Sequence, residues 1–105
     1  MPSSAKLLRE RDIERYFKQE VEAVGGEVRK LKWIGRAHGP DRFVALHGAH
    51  LVELKRPKGR PRPGQKREAL RLARHGVSVW CINSKASVDK FIQAIVIGHL
   101  RGTAP

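Results

Sequence analysis

At 105 residues the chain is long enough for one compact domain, residues 1–105, and too short for two. Its 40% hydrophobic content suits a folded protein rather than a disordered one, and a lone cysteine, Cys81, excludes a disulfide framework within one chain. A formal net charge of +12, from 22 Lys and Arg against 10 Asp and Glu, favours a polyanionic partner, nucleic acid ahead of an anionic membrane.

Ser3 and Ser4 read as caps for a helix in AKLLRERDIERYFKQEVEAV, where Ile13, Phe17, Val21 and Val24 recur at helical spacing. Gly25-Gly26 ends it. EVRKLKWI reads as a strand and GRAHGP as a loop. DRFVALH and HLVELKR are two more strands, close enough to form a hairpin around Gly48-Ala49. PKGRPRPG is a basic loop, and QKREALRLARH a helix stopped by Gly76. VSVWCIN reads as a short buried strand, and SVDKFIQAIVIGHL as a last helix capped by Ser87, its apolar face made by Phe91, Ile92, Ile95 and Val96. The order helix, three strands, helix, strand, helix predicts an α/β fold: a small mixed β-sheet with helices on both faces. No apolar run is long enough to cross a bilayer, and MPSSAKLLRERD lacks a signal-peptide core, so no membrane association and an intracellular, reducing setting are expected.

The hairpin carries charges that an apolar strand should not hold. Glu53 and Lys55 alternate with valine and leucine and point to one face. Asp41 opens the preceding strand, and whether it joins them depends on the turn. A two-residue loop at Gly48-Ala49 turns it away. A three-residue loop, His47 to Ala49, pairs Phe43 with Glu53 and brings Asp41 opposite Lys55. An odd-numbered loop is therefore expected. Two carboxylates converging on one spot repel unless a proton or cation lies between them, and hard oxygen ligands suit Mg2+ or Mn2+. A lysine beside such a site could hold or deprotonate the attacking water in the hydrolysis of a phosphodiester. The plainer reading is a structural ion pair, Glu53 with Lys55 or Asp41 with Arg56, at a sheet edge.

Pro40-Asp41 followed by Glu53-Leu54-Lys55 resembles the PD-(D/E)XK nuclease signature. The longer run is similar to the VRR-Nuc branch, above all to its small stand-alone phage-type members: RDIERYFKQEVEAVGGEVRKLKW, GPDRFVAL, LVELKRPKGRPRPGQ and HGVSVWCINSKASVDKF, from about Glu10 to Phe91. The resemblance implies a restriction-endonuclease-like core in which Asp41, Glu53 and the Leu54 carbonyl bind metal and Lys55 is the catalytic lysine. Gln65 matches the family's motif glutamine and would orient the site. The family also uses an acid from the first helix; Glu14 is the choice, with Glu10 its rival. The Asp-to-Glu hairpin looks two residues shorter than in many relatives, which keeps side-chain parity, and His38 stands where a small or aliphatic residue is expected.

Residues 55–74 hold nine Lys or Arg: Lys55, Arg56, Lys58, Arg60, Arg62, Lys66, Arg67, Arg71 and Arg74. Arg56, Lys58, Arg60, Arg62 and Lys66 on one side, with Lys30, Lys32, Arg36 and Arg42 on the other, form the expected contacts to a DNA backbone. Trp33 and Trp80 are assigned to core or interface, which leaves few aromatics for single-strand stacking and favours duplex or branched DNA. The relatives imply a homodimer acting on Holliday-type junctions, with the C-terminal helix as candidate interface, in the cytoplasm, or the host cell's if phage-encoded. Two other functions fit the composition: a non-enzymatic basic nucleic-acid-binding protein, and a sequence-specific restriction-type nuclease.

Overall fold

The structure, a computed structural model, describes residues 8–102. Helix α1 (Glu10–Ala23) forms on the predicted stripe, and Ile13, Phe17 and Val21 are fully buried. Its first turn is closed by the Arg9 N–H, which donates to Asp12 Oδ2 at 2.7 Å. The expected caps Ser3 and Ser4 lie outside the described residues. Four strands follow with two further helices: β1 (Glu27–Lys30), β2 (Arg42–Ala45), β3 (Ala49–Leu54), α2 (Pro63–Ala73), β4 (Val79–Ile82) and α3 (Lys85–Leu100). The sheet order is β1-β2-β3-β4; the first two pairings are antiparallel and β3–β4 is parallel, with α2 in the crossover. This is the predicted mixed α/β arrangement.

One face of the sheet is a dry core. Val44, Val52, Leu54 and Ile82 meet Ile13, Phe17 and Val21 of α1 and Val88, Phe91 and Ile95 of α3. Phe91 is central, with its ring centroid 5.8 Å from Phe17 and 5.1 Å, edge-on, from Trp80. The Tyr16 hydroxyl donates to Asp89 Oδ1 at 2.7 Å and ties α1 to α3; that bond first, and burial second, push the phenol pKa up to about 12.

The other face is only partly covered. Helix α2 lacks an apolar stripe: its buried residues are Gly64 and Glu68, and Leu70 is largely exposed. Between α2 and the sheet runs a groove of about 470 Å³, with Glu53 in its wall. Helices thus flank both faces as expected, but the buried apolar core lies on one face alone. Cys81, read as part of a buried strand, is exposed toward this groove because it pairs with Glu53 and alternates with the buried Ile82.

Element ends differ from the sequence reading for local reasons. The chain leaves β1 after Lys30, because Trp33 folds back: its Nε1–H donates to the Pro40 carbonyl at 2.7 Å. Gly39 is required there, since a Cβ would lie 2.4 Å from the Trp33 ring. Helix α3 begins earlier than expected, capped by Ser84 rather than Ser87. The two serines bond reciprocally, each side-chain oxygen accepting from the other's N–H at 3.0 Å. The hairpin loop has three residues, Leu46 to Gly48, because Ala45 pairs with Ala49. Left-handed His47 (φ 49°) and Gly48 (φ 126°) make the turn, while Leu46 stays in the core.

Candidate active site

The hairpin length fixes the site. The loop is odd-numbered, as required for convergence, but lies one residue earlier than expected. Continuing the register Arg42↔Val52 by one residue sets Asp41 opposite Glu53, not opposite Lys55. Parity is unchanged, so both carboxylates fall on the α2 face, while Val52 and Leu54 enter the core.

Asp41 is anchored across the hairpin. Its Oδ1 accepts from the Leu54 N–H at 3.0 Å, and Oδ2 lies 3.3 Å from Arg42 Nη1. Leu54 thus contributes its N–H visibly, between the two groups of the Glu-x-Lys pair. Glu53 is 6% exposed, with Lys55 Nζ 3.5 Å from its Oε2. Gln65, at the third position of α2, links helix to sheet. Its Oε1 accepts from the Arg62 N–H at 2.8 Å, and its Nε2–H donates to Glu53 Oε2 at 2.9 Å. With both ends of the amide engaged, its orientation is set by the network.

The electrostatics are those of a site short of positive charge. Burial, then the neighbouring Asp41, push the Glu53 carboxyl up to about 7. Lys55 opposes the shift without cancelling it, and Glu10 of α1 adds to it. Burial, then Glu53, likewise raise the Cys81 thiol. A carboxylate pair that resists losing its last proton would be eased by a cation, and hard oxygens of this kind suit magnesium or manganese. Among the described residues, no three His, Cys, Asp or Glu side chains cluster as a ready metal cage.

The two helix acids separate clearly. Glu14, the expected ligand, is ion-paired with Arg42 and lies 3.9 Å from Lys30. The Arg42 side chain, 11% exposed, turns toward α1 and stands between Glu14 and Asp41. Glu10, one turn earlier, is the helix carboxylate whose charge acts on Glu53. Arg42 itself, expected on DNA, is thereby committed to Glu14 and Asp41, a pairing invisible in sequence because the partners are 28 residues apart.

Arg36 is committed too. Its guanidinium forks onto Glu68, with Nε 3.3 Å from Oε2, and Arg71 reaches the same carboxylate at 3.2 Å. Lys30, Lys32, Arg56, Lys58, Arg60, Arg62 and Lys66 are exposed; Lys66 lines the groove, and Lys30 lies beside Glu14 on the α1 side. His38, with φ 68°, lies with its ring against Gly64, where a Cβ would come within 2.6 Å, and also lines the groove. Glu68 was not singled out from sequence; its only local signal is Arg71, three residues on.

Comparison with known proteins links the chain to nucleases. No family model matches the chain. A curated relative, "Putative nuclease p44" of Acyrthosiphon pisum secondary endosymbiont phage 1, is 39% identical over 82 residues, 76% of this chain and 88% of the relative. A solved structure described as "VRR_NUC domain" superposes with a TM-score of 0.72 at 38% identity, covering 80% of this chain and 94% of the other. Among the described residues, no helix is long and apolar enough to cross a membrane.

Proposed function

Since the chain belongs to the VRR-Nuc family and is a nuclease by that kinship, we propose that it is a metal-dependent DNA endonuclease. It hydrolyses phosphodiester bonds in branched DNA, such as Holliday junctions, as a homodimer inside the cell. The observation that carries this reading is the buried Glu53 carboxyl held near 7 beside Asp41, with Lys55 at 3.5 Å. Two carboxylates and a lysine from neighbouring strands converge on the groove face of the sheet, where a plain structural ion pair needs only one carboxylate.

Asp41, Glu53 and the Leu54 carbonyl are the groups that would hold Mg2+ or Mn2+, and Glu10 replaces Glu14 as the acid from α1. The ion would neutralise the phosphoryl oxygens and raise the acidity of water near them. Lys55 places a positive charge where the attacked phosphorus gathers negative charge. Gln65 fixes Glu53 by one hydrogen bond and α2 by another, so the carboxylate presents a set edge. Lys30, Lys32, Arg56, Lys58, Arg60, Arg62 and Lys66 hold backbone phosphates on either side, positioning DNA without reading sequence. A single site of this size cuts one strand, so paired cuts call for two copies; Ile97 and Leu100, exposed at the end of α3, offer an apolar contact.

The test incubates a four-way junction, a linear duplex and a single strand with the protein and magnesium. Preferential junction cleavage, lost in Glu53→Ala with binding kept, is the expected result. Binding without cleavage in either metal would leave a basic nucleic-acid-coating protein, and cutting confined to one short sequence a restriction-type enzyme.

A further inference from the structure

The connection between β1 and β2 is a built loop with one unexplained residue. It is closed at its base by the Leu31 N–H donating to the Asp41 carbonyl at 3.0 Å, so it ends on a candidate catalytic acid. Inside it, Trp33 is clamped on Gly39 and Pro40, and Arg36 is forked onto the buried Glu68 of α2. Between these two anchors Ile34 is 96% exposed, followed by Gly35 in a left-handed conformation (φ 81°). Both flanks are fixed, yet a large β-branched aliphatic side chain stands in water.

The surroundings identify what would cover it. Lys32 and Arg36 flank Ile34 in sequence. The same loop lines a cavity of about 290 Å³ with Gly64, Arg67 and Arg71, then enters the Glu53 groove through His38 and Pro40. An apolar tip next to Lys32, on a loop that shares a cavity with Arg67 and ends at the proposed phosphodiester-cleaving centre, matches the chemistry of nucleic acid at an interrupted stack. The cations meet phosphates, and the aliphatic group meets the uncovered face of a base. We infer that Ile34 packs on a nucleobase next to the cleaved phosphate and so selects DNA whose base stack is open. Continuous duplex offers phosphates but no free base face, and gains nothing from this residue. The inference rests on the nuclease reading for its position beside a cleaved bond.

Two measurements test it. Wild type, Ile34→Ser and Ile34→Leu are compared on a four-way junction and on a linear duplex of the same sequence with magnesium. Binding is also followed in EDTA, where nothing is cut, by the fluorescence of 2-aminopurine placed at the junction. Ile34→Ser is expected to keep the wild-type melting temperature and duplex cleavage, lower junction cleavage about 10-fold and abolish the change in 2-aminopurine signal, with Ile34→Leu restoring both. An unchanged signal and junction-to-duplex ratio in Ile34→Ser would overturn the inference. So would equal losses on both substrates with weakened self-association, which would make the tip a protein contact. If wild type cuts neither substrate, the nuclease reading fails, while the 2-aminopurine arm still decides whether Ile34 touches a base.

Discussion

Two glutamates in this protein are equally buried, each 6% exposed, and they behave in opposite ways. Glu68 on α2 is gripped by Arg36 first and Arg71 second, which hold its carboxyl below the usual range. Glu53 on β3 is pushed up to about 7, first by burial and then by the facing Asp41, with Lys55 alone opposing. Solvent exposure is the same and burial pushes both carboxyls up, so what differs is how much of that push the neighbours offset. Two arginines outweigh burial at Glu68, whereas the single Lys55 does not outweigh burial and Asp41 at Glu53.

That contrast can be broken most sharply at Glu53. Glu53→Ala or Lys55→Ala should lower junction cleavage by about 100- to 1000-fold while leaving DNA binding near wild type, read by gel assays in magnesium. Glu68→Gln in the same assay should retain most activity. If Glu68→Gln is as damaging as Glu53→Ala, the distinction between the two regions fails.

A second effect is on stability and has a definite sign. A carboxyl raised from the ordinary 4.5 to about 7 favours the fold while protonated, and this contribution is lost as pH rises through about 7. Metal-free wild type should therefore lose roughly 3 kcal/mol between pH 4.5 and 8 from Glu53, measured by urea unfolding. Glu53→Gln should flatten that slope, and magnesium should restore wild type at pH 8 while doing little for the variant. Glu68 runs the other way: its lowered pKa stabilises above the ordinary carboxyl range and is lost on acidification.

Smaller effects sharpen the boundary of the site. Gln65→Ala should cost about 10-fold in cleavage and raise the magnesium required, since it frees Glu53 from α2. Glu10→Ala should do the same to about the same extent. Glu14→Ala should instead lower the melting temperature equally with and without magnesium, because its partner is Arg42. Identical profiles for Glu10→Ala and Glu14→Ala would remove the case for preferring one.

Much of this was readable from the chain. The stripe Ile13-Phe17-Val21 and the alternation around Glu53 set the helix, the hairpin and the face on which the charges lie. Side-chain parity demanded an odd loop, and the loop is odd. Its exact place was not readable, because Ala45 and Ala49 carry no face preference and either side of Gly48 accommodates the turn. Ser84 and Ser87 stand three apart and cap each other, so sequence alone could not rank them. The ion pairs of Glu14 with Arg42 and of Arg36 with Glu68 were not readable, for one cause. They join residues 28 and 32 apart, and such pairs follow from helix rotation against the sheet rather than from local pattern.

The scant apolar packing of α2 has a consequence for the working cycle of the enzyme. A segment whose attachments are largely polar, Gln65 to Glu53 and Glu68 to Arg36, opens at lower free energy than one sealed by phenylalanines. Amide hydrogens along 66–73 should therefore exchange with deuterium ahead of those in the middle of α1 and α3. If DNA and metal draw Lys66 and Glu53 into new bonds, that exchange should slow, and α2 would then report substrate arrival.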